Sequence, residues 1–305
     1  MRDPSAPVAA IIVNWNAAQL TLDVLAELER VEGPPLHFVV VDNGSRDDSV
    51  ARLRRERPDL DLVETGENLG FAGANNIGIR HALAGGAYDW LLLINNDVEV
   101  EPGFLPPLLA ACADPTVAAS GPKILFQKPP DLIWAAGGRL RVRETVTREY
   151  GARQPDGPLW SRPAEVDYLT TCCLLVPRDA FERVGLFDPV YFVGVEDADW
   201  CRRARDVGLK LRYEPASRIW HMVAVSTGGS YTPIRTFHTG RSNALFARRH
   251  FGPLRMLAFL AANCLALPAA FLRELPRRNA RAAVAKARGI WAGLRHPLRE
   301  PPPRL

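Results

Sequence analysis

The stretch that most constrains this chain is Tyr88-Asp89-Trp90-Leu91-Leu92-Leu93-Ile94-Asn95-Asn96-Asp97. Trp90 to Ile94 is apolar without a break and stops at two amides and a carboxylate. A half-exposed strand would alternate, so this short run suits a strand buried on both faces of a parallel sheet. In open α/β sheets ligands gather beyond the carboxyl ends of the strands. Asp97 would stand at that edge. A hard divalent cation there takes one or two protein carboxylates and leaves its other positions to substrate phosphates. The plainer role for Asn-Asn-Asp is a turn or a helix cap.

The chain before this stretch repeats the pattern. Val8 to Val13 reads as a strand ending at Asn14-Trp15-Asn16, and Ala17 to Glu32 carries Leu20, Val24, Leu25 and Leu28 at helical spacing. Leu36 to Val41 is a second strand, ending at Asp42-Asn43-Gly44-Ser45, and a short helix follows from Asp47 to Arg55. Leu60 to Val63 is a candidate third strand. Asn68-Leu69-Gly70-Phe71-Ala72-Gly73-Ala74-Asn75 then leads into a helix that ends at Leu83. This β-α-β-α order predicts an α/β fold with a parallel sheet and right-handed crossovers. No G-x-G-x-x-G turn follows the first strand, so a dinucleotide fingerprint is absent. Gly70, Gly73 and Gly78 come later and let backbone approach a ligand or a neighbouring element.

Beyond Pro102 the alternation weakens. Arg139 to Tyr150 reads as irregular or hairpin structure, Val166 to Val176 as a strand and Ala180 to Val184 as a helix. Glu196, Asp197 and Asp199 open a further helix, where acids also suit the helix dipole. Leu209 to Tyr213 and Ile219-Trp220-His221 read as two more strand segments. His221 beside Trp220 is either a packing residue or a ligand. The five cysteines form no C-x-x-C pair, which argues against zinc and for buried free thiols in a reducing compartment. No signal-peptide design precedes the first strand. No G-x-S-x-G motif is present, and Cys172 and Cys173 have no evident activating partner.

The net charge of +4 is unevenly spread. From Arg241 onward the only acids are Glu274 and Glu300, against a long series of arginines and Lys286, so a polyanionic surface is the expected neighbour of the tail. Met256 to Leu272 is uncharged and sits at the short limit for a membrane span. With Pro268 inside it and arginines on both flanks, an interfacial or re-entrant helix pair is expected, with packing on the main domain or dimerisation as alternatives. Ala280 to Leu294 is a basic amphipathic helix, and Pro297 to Leu305 reads as disordered.

Together these stretches resemble the family 2 glycosyltransferases, inverting enzymes of GT-A fold, and most closely their rhamnosyltransferase-like branch. The matching motifs are Ile12-Val13-Asn14-Trp15-Asn16, Val41-Asp42-Asn43-Gly44-Ser45, Asn68 to Asn75, Asn95-Asn96-Asp97, and Gly185-Leu186-Phe187-Asp188 with Glu196-Asp197-Ala198-Asp199. The resemblance spans about Val8 to Ser226 and extends weakly through Arg241-Ser242-Asn243 and Arg248-Arg249-His250-Phe251. It implies a Rossmann-like, mostly parallel sheet flanked by helices. A GT-A catalytic domain would occupy residues 1–235, with a nucleotide-sugar half to about 100 and an acceptor half after it. Residues 236–305 would form basic, apolar C-terminal helices.

The resemblance also implies site residues. Asp42 would read the base of a nucleotide-sugar donor beside Asn14 and Asn16. Asn68, Gly70, Phe71, Asn75 and Asn96 would line the nucleotide pocket. Asp97 is the last acid of the family's D-x-D motif, whose first position here is Asn95. His221 would be a second ligand for Mg²⁺ or Mn²⁺. Asp197 would be the catalytic base, supported by Glu196 and Asp199. The expected acceptor is a glycan or lipid-linked sugar of cell-surface polysaccharide. No nucleic-acid partner is expected, and the enzyme would sit at the cytoplasmic face of an anionic membrane. Two rivals remain: a sugar-phosphate nucleotidyltransferase, and a non-catalytic glycan- or membrane-binding protein of the same fold.

Overall fold

The computed structural model describes residues 1–86, 88–222, 231–298 and 302–305. The end of the family resemblance, residues 223–226, and Arg299 and Glu300 of the tail lie outside the described residues. The first half of the chain runs β1 (Val8–Asn14), α1 (Ala18–Leu28), β2 (Leu36–Asp42), α2 (Ser49–Glu56), β3 (Asp61–Glu64), α3 (Gly70–Ala84), β4 (Trp90–Ile94), β5 (Val98–Val100), α4 (Leu105–Cys112), β6 (Val117–Phe126) and β7 (Ile133–Ala135). The second half runs β8 (Gly138–Leu140), β9 (Thr147–Glu149), β10 (Ala164–Glu165), β11 (Cys173–Pro177), α5 (Arg178–Val184), α6 (Glu196–Asp206), β12 (Lys210–His221), α7 (Pro233–His250), α8 (Pro253–Glu274) and α9 (Ala280–Arg295).

The main sheet has the order β10-β12-β6-β11-β4-β1-β2-β3. Its path is parallel except where β10 and β11 enter antiparallel. β4 is central, and its side chains divide between the two faces as the unbroken apolar run requires. Leu91 and Leu93 join the core beneath α3, α5, α6 and α7. Trp90, Leu92 and Ile94 join the opposite core beneath α1, α2 and α4. All five are at most 3% exposed. Full burial of such side chains contributes about 1.5–3 kcal/mol each, so β4 anchors both layers.

Three expectations change. The apolar run from Val166 becomes a strand only at Cys173. Residues 166–172 instead wrap around α6, where the Leu169 N–H meets the Cys201 thiol and the Thr171 N–H points at Asp197. The two segments expected at 209–213 and 219–221 are one strand, β12, with a register shift between Glu214 and Arg218. Pro215 lies in that shift, where a missing N–H is tolerated. The apolar segment around Pro268 is one continuous helix, α8, rather than a re-entrant pair. Pro268 lies on its exposed side and the helix runs on through it. The hairpin expected between Arg139 and Tyr150 is formed by β8 and β9.

The C-terminal helices belong to the same body. A division at residue 235 falls inside α7, whose Asn243 accepts a 2.6 Å hydrogen bond from the Val146 N–H in the β8–β9 connection. α7 and α9 pack closely because a Cβ at Gly289 would lie 2.0 Å from the Phe237 carbonyl oxygen. α8 is different. It is long and apolar enough, by length and composition, to cross a membrane, and little of it is buried. Phe259 and Asn263 face inward, while Leu254, Leu257, Leu265 and Leu272 are 65–83% exposed. Four thiols are buried as expected, and Cys264 on α8 is exposed.

Candidate active site

The carboxyl ends of β1, β2 and β4 carry one connected set of polar side chains. Register places Asn14 opposite Asp42. The Asn14 amide donates to Asp42 Oδ1 at 2.7 Å, and Ser45 donates to the same carboxylate through its hydroxyl (2.6 Å) and its N–H (2.9 Å). Thr21, on α1, donates to Asn14 Oδ1 at 2.9 Å and accepts from the Asn96 amide at 3.0 Å. The line Asn96–Thr21–Asn14–Asp42–Ser45 therefore ties three strand ends together. Asn16, at φ +51°, accepts from the Arg46 N–H and donates its own N–H to Ser45 Oγ.

The Asn68–Asn75 loop closes over this edge. Asn43 donates to Asn68 and to the Gly70 carbonyl, and it accepts from the Leu69 N–H. Gly70 has φ +74°, and a Cβ there would lie 2.4 Å from the Phe192 carbonyl oxygen. The neighbour that this glycine admits is thus protein backbone, and the Phe71 N–H bonds that carbonyl at 2.6 Å. Asn75 is buried and donates to the Phe71 carbonyl.

Asp97 caps no helix. It lies between β4 and β5, and β5 pairs with the end of β12 so that Val98 is opposite His221. That pairing sets His221 Nε2 3.3 Å from Asp97 Oδ1. Both residues are buried, and Trp134 packs edge-on against the imidazole. Asp97 Oδ1, His221 Nδ1 and Asn95 Oδ1 have no hydrogen-bond partner among the described residues. Burial lowers the His221 pKa, Cys172 and Asp97 raise it, and the net movement is upward. No cluster of three or more His, Cys, Asp or Glu suited to a metal occurs among the described residues.

The three acids at the start of α6 have separate environments. Asp197 is buried and accepts from the Tyr168 hydroxyl (3.0 Å), the Ala198 N–H (2.8 Å) and the Thr171 N–H (3.4 Å). Burial raises its pKa against these donors. Glu196 is raised too, by burial and by the charge of Asp197, and its Oε2 has no partner among the described residues. Asp197, with more donors, is the member that ionises first. Asp199 is fully buried between Arg203 (2.8 Å), His250 (2.7 Å) and the Tyr191 hydroxyl (3.0 Å). Burial works against its charge, but His250 and Arg203 hold its pKa down at about 2. It fastens α6 to α7. Arg241 and Ser242 fasten α7 in turn to the carbonyls of Val190, Tyr191 and Val193, and Arg249 pairs with Asp188. Thr21 and Tyr168 are neighbours of the candidate site that sequence reasoning missed, and Asn43 and Ser45 stood in a quoted motif without a role of their own.

The Glycosyl transferase family 2 model matches residues 9–185, more than half of the chain. The chain belongs to glycosyl transferase family 2. Among curated relatives of this glycosyltransferase is the N-acetylglucosaminyl-diphospho-decaprenol L-rhamnosyltransferase of Mycobacterium tuberculosis, 32% identical over 76% of this chain and 82% of the relative. Another is the dTDP-rhamnosyl transferase RfbF of Shigella flexneri, 23% identical over 81% and 82%. The fold matches that of a Pyrobaculum calidifontis mannosyltransferase solved with GDP-Man and Mn²⁺. The TM-score is 0.60 at 21% identity, over 96% of this chain and 89% of that one. The chain is accordingly a GT-A glycosyltransferase.

Proposed function

We propose that this glycosyltransferase moves a hexosyl or deoxyhexosyl group, with rhamnosyl foremost, from a nucleoside-diphosphate sugar to a lipid-linked glycan acceptor, with inversion. The names of the Mycobacterium tuberculosis and Shigella flexneri relatives support the sugar, and the first supports the acceptor. The observation that carries the reading is the buried pairing of Asp97 with His221. A buried carboxylate and imidazole face each other there, Asp97 Oδ1 meeting only His221 Nε2 at 3.3 Å, while neither Asp97 Oδ1 nor His221 Nδ1 makes a hydrogen bond among the described residues. The carboxylate oxygen suits Mg²⁺ or Mn²⁺, and an added imidazole nitrogen favours Mn²⁺ of the two, with substrate phosphates completing the shell. When bound, such a cation supplies Lewis-acid neutralisation of the diphosphate leaving group.

The residues of the chain supply the rest. Asp42, oriented by Asn14 and Ser45, holds the nucleoside with Asn16, Asn96 and the Asn68–Asn75 loop. Asp197 takes the proton of the acceptor hydroxyl as that oxygen bonds the anomeric carbon and the carbon–phosphate-oxygen bond breaks. One displacement inverts the centre, so no protein nucleophile is used. Glu196 keeps its proton and can donate to the acceptor. On this reading the nucleotide-sugar half ends near residue 100 and the acceptor half follows it. The exposed apolar stripe of α8 lies in the cytoplasmic face of the membrane, with its inner side still packed through Phe259.

The test is nucleoside diphosphate release from a panel of nucleotide sugars, with a lipid-linked N-acetylglucosamine acceptor and with or without chelator. Release from dTDP-rhamnose that stops in excess chelator is the expected result. Full activity in chelator would remove the metal from the reading. Release from no donor would favour a binding protein of the same fold.

A further inference from the structure

The protein has a polar cavity away from the strand ends. It holds about 380 Å³ between the β8–β9 hairpin, α6, α7 and the first turn of α8. Arg141, Arg202, Arg205 and Arg255 line it over an apolar floor that includes Phe246 and Phe251. The acids nearby are few. Arg205 pairs with Asp167 at 2.9 Å, Arg202 with Asp206 at 2.8 Å and Arg141 with Glu144 at 3.2 Å. Arg255 pairs with no carboxylate among the described residues. Each guanidinium has five N–H donors. Arg141 spends three of them on Glu144 and Thr145, so the donors left over belong mainly to Arg202, Arg205 and Arg255. Arginine forks match phosphate oxygens in pairs.

The position of the cavity identifies the occupant. Arg255 stands in the first turn of α8, on the flank of the helix between the inward Phe259 and the exposed stripe that starts at Leu254. The outward stripe continues through Leu265 and Leu272. A helix that lies with this stripe in the acyl boundary brings the mouth of the cavity to headgroup level. We infer that the cavity binds the phosphate of an anionic membrane lipid headgroup and so sets the orientation of the catalytic domain on the bilayer. This rests on the membrane reading of α8 given above. Nothing in the proposed donor and acceptor chemistry uses these four arginines.

The experiment sediments full-length protein with vesicles of phosphatidylcholine alone and of phosphatidylcholine mixed with phosphatidylglycerol, at low and at high salt. Diffuse attraction between the basic tail and the surface is screened by salt, whereas fork contacts in a cavity are screened much less. The wild type should bind both vesicles at low salt and keep a preference for the mixed ones at high salt. Arg202→Gln with Arg255→Gln should lose that high-salt preference, about fivefold for each arginine. Its binding to phosphatidylcholine, a report on intact α8, should not change. Arg277→Gln with Arg278→Gln and Arg281→Gln should lose affinity at low salt only. No binding of wild type to either vesicle would overturn the membrane reading and this inference together. Binding without a high-salt preference, a preference retained in the Arg202/Arg255 variant, or equal loss in both variants would overturn the inference alone.

Discussion

At the ends of β1 and β2 the buried oxygens of Asp42, Asn14 and Thr21 each have a donor. Around Asp97 and α6 the opposite holds. Asn95 Oδ1, Asp97 Oδ1, His221 Nδ1 and Glu196 Oε2 are all buried without a hydrogen bond among the described residues, although Asp97 Oδ1 faces His221 Nε2 at 3.3 Å. An unpaired buried polar atom costs about 1–3 kcal/mol. On the proposed function the open group is the one that meets metal, diphosphate and acceptor. On that same function the first region is a template for the nucleoside and the second carries the chemistry. The same division runs through α6, where Asp199 is saturated by partners and Asp197, two residues earlier, is raised and poised.

Asp197→Asn tests that division with the largest effect. It keeps shape and removes basicity, so turnover should fall about 10² to 10⁴-fold with donor binding retained. Asp199→Ala should act on stability instead, by about 3–5 kcal/mol, because Arg203 and His250 would lose a buried counter-charge. The pH dependence has a definite sign. The folded-state pKa of Asp199 lies below its ordinary 3.8, at about 2, so its contribution is complete above pH 4 or so and is lost as pH falls toward 2. Chemical denaturation of both variants with donor titration separates the two roles. A stable, inactive Asp199 variant beside an unstable, active Asp197 variant would reverse them.

Thr21→Val is the intermediate case, because it breaks the template at one atom. The change leaves Asn14 Oδ1 without a donor and the Asn96 amide without an acceptor. The expected loss is about 1–3 kcal/mol of stability, with donor KM raised up to about tenfold and kcat nearly kept. A fall in kcat at unchanged KM would mean that the line of hydrogen bonds positions the reacting atoms rather than the nucleoside.

The strand ends were legible because burial and parallel pairing leave a simple trace, an apolar run that stops at a polar group. Asn14, Asp42 and Asp97 all lie at such stops, and β12 brings His221 to Asp97 through an ordinary antiparallel pairing. Thr21 left no trace, since a hydroxyl on the buried side of α1 is one polar residue within an apolar stripe. Tyr168 was hidden for another reason. The run from Val166 to Val176 has the composition of a strand, but its first half bends to bring a phenol and an N–H onto Asp197. Composition reports burial, and here it could not report the path. Arg241-Ser242-Asn243 was legible as a motif, whereas its work, clamping α7 to residues 190–193 and to Val146, depends on contacts far apart in sequence.

Tyr168→Phe should have the smallest effect. The Tyr168 hydroxyl is buried, and burial with the charge of Asp197 raises its pKa well above the usual phenol value, so near neutral pH it remains a donor. A donor to the charged form favours that form, and this bond therefore lowers the Asp197 pKa against the upward push of burial. Phenylalanine keeps the ring packing and removes the donor. The Asp197 pKa should then rise further, and the acid limb of kcat/KM should move to higher pH with little change on the plateau. A pH–rate profile of the two proteins measures this directly. An unmoved limb with a uniformly lower rate would mean that Tyr168 orients the acceptor and leaves the basicity of Asp197 to burial and the two backbone donors. A limb shifted to lower pH would mean that the hydroxyl accepts a hydrogen bond from protonated Asp197 and so favours the protonated form.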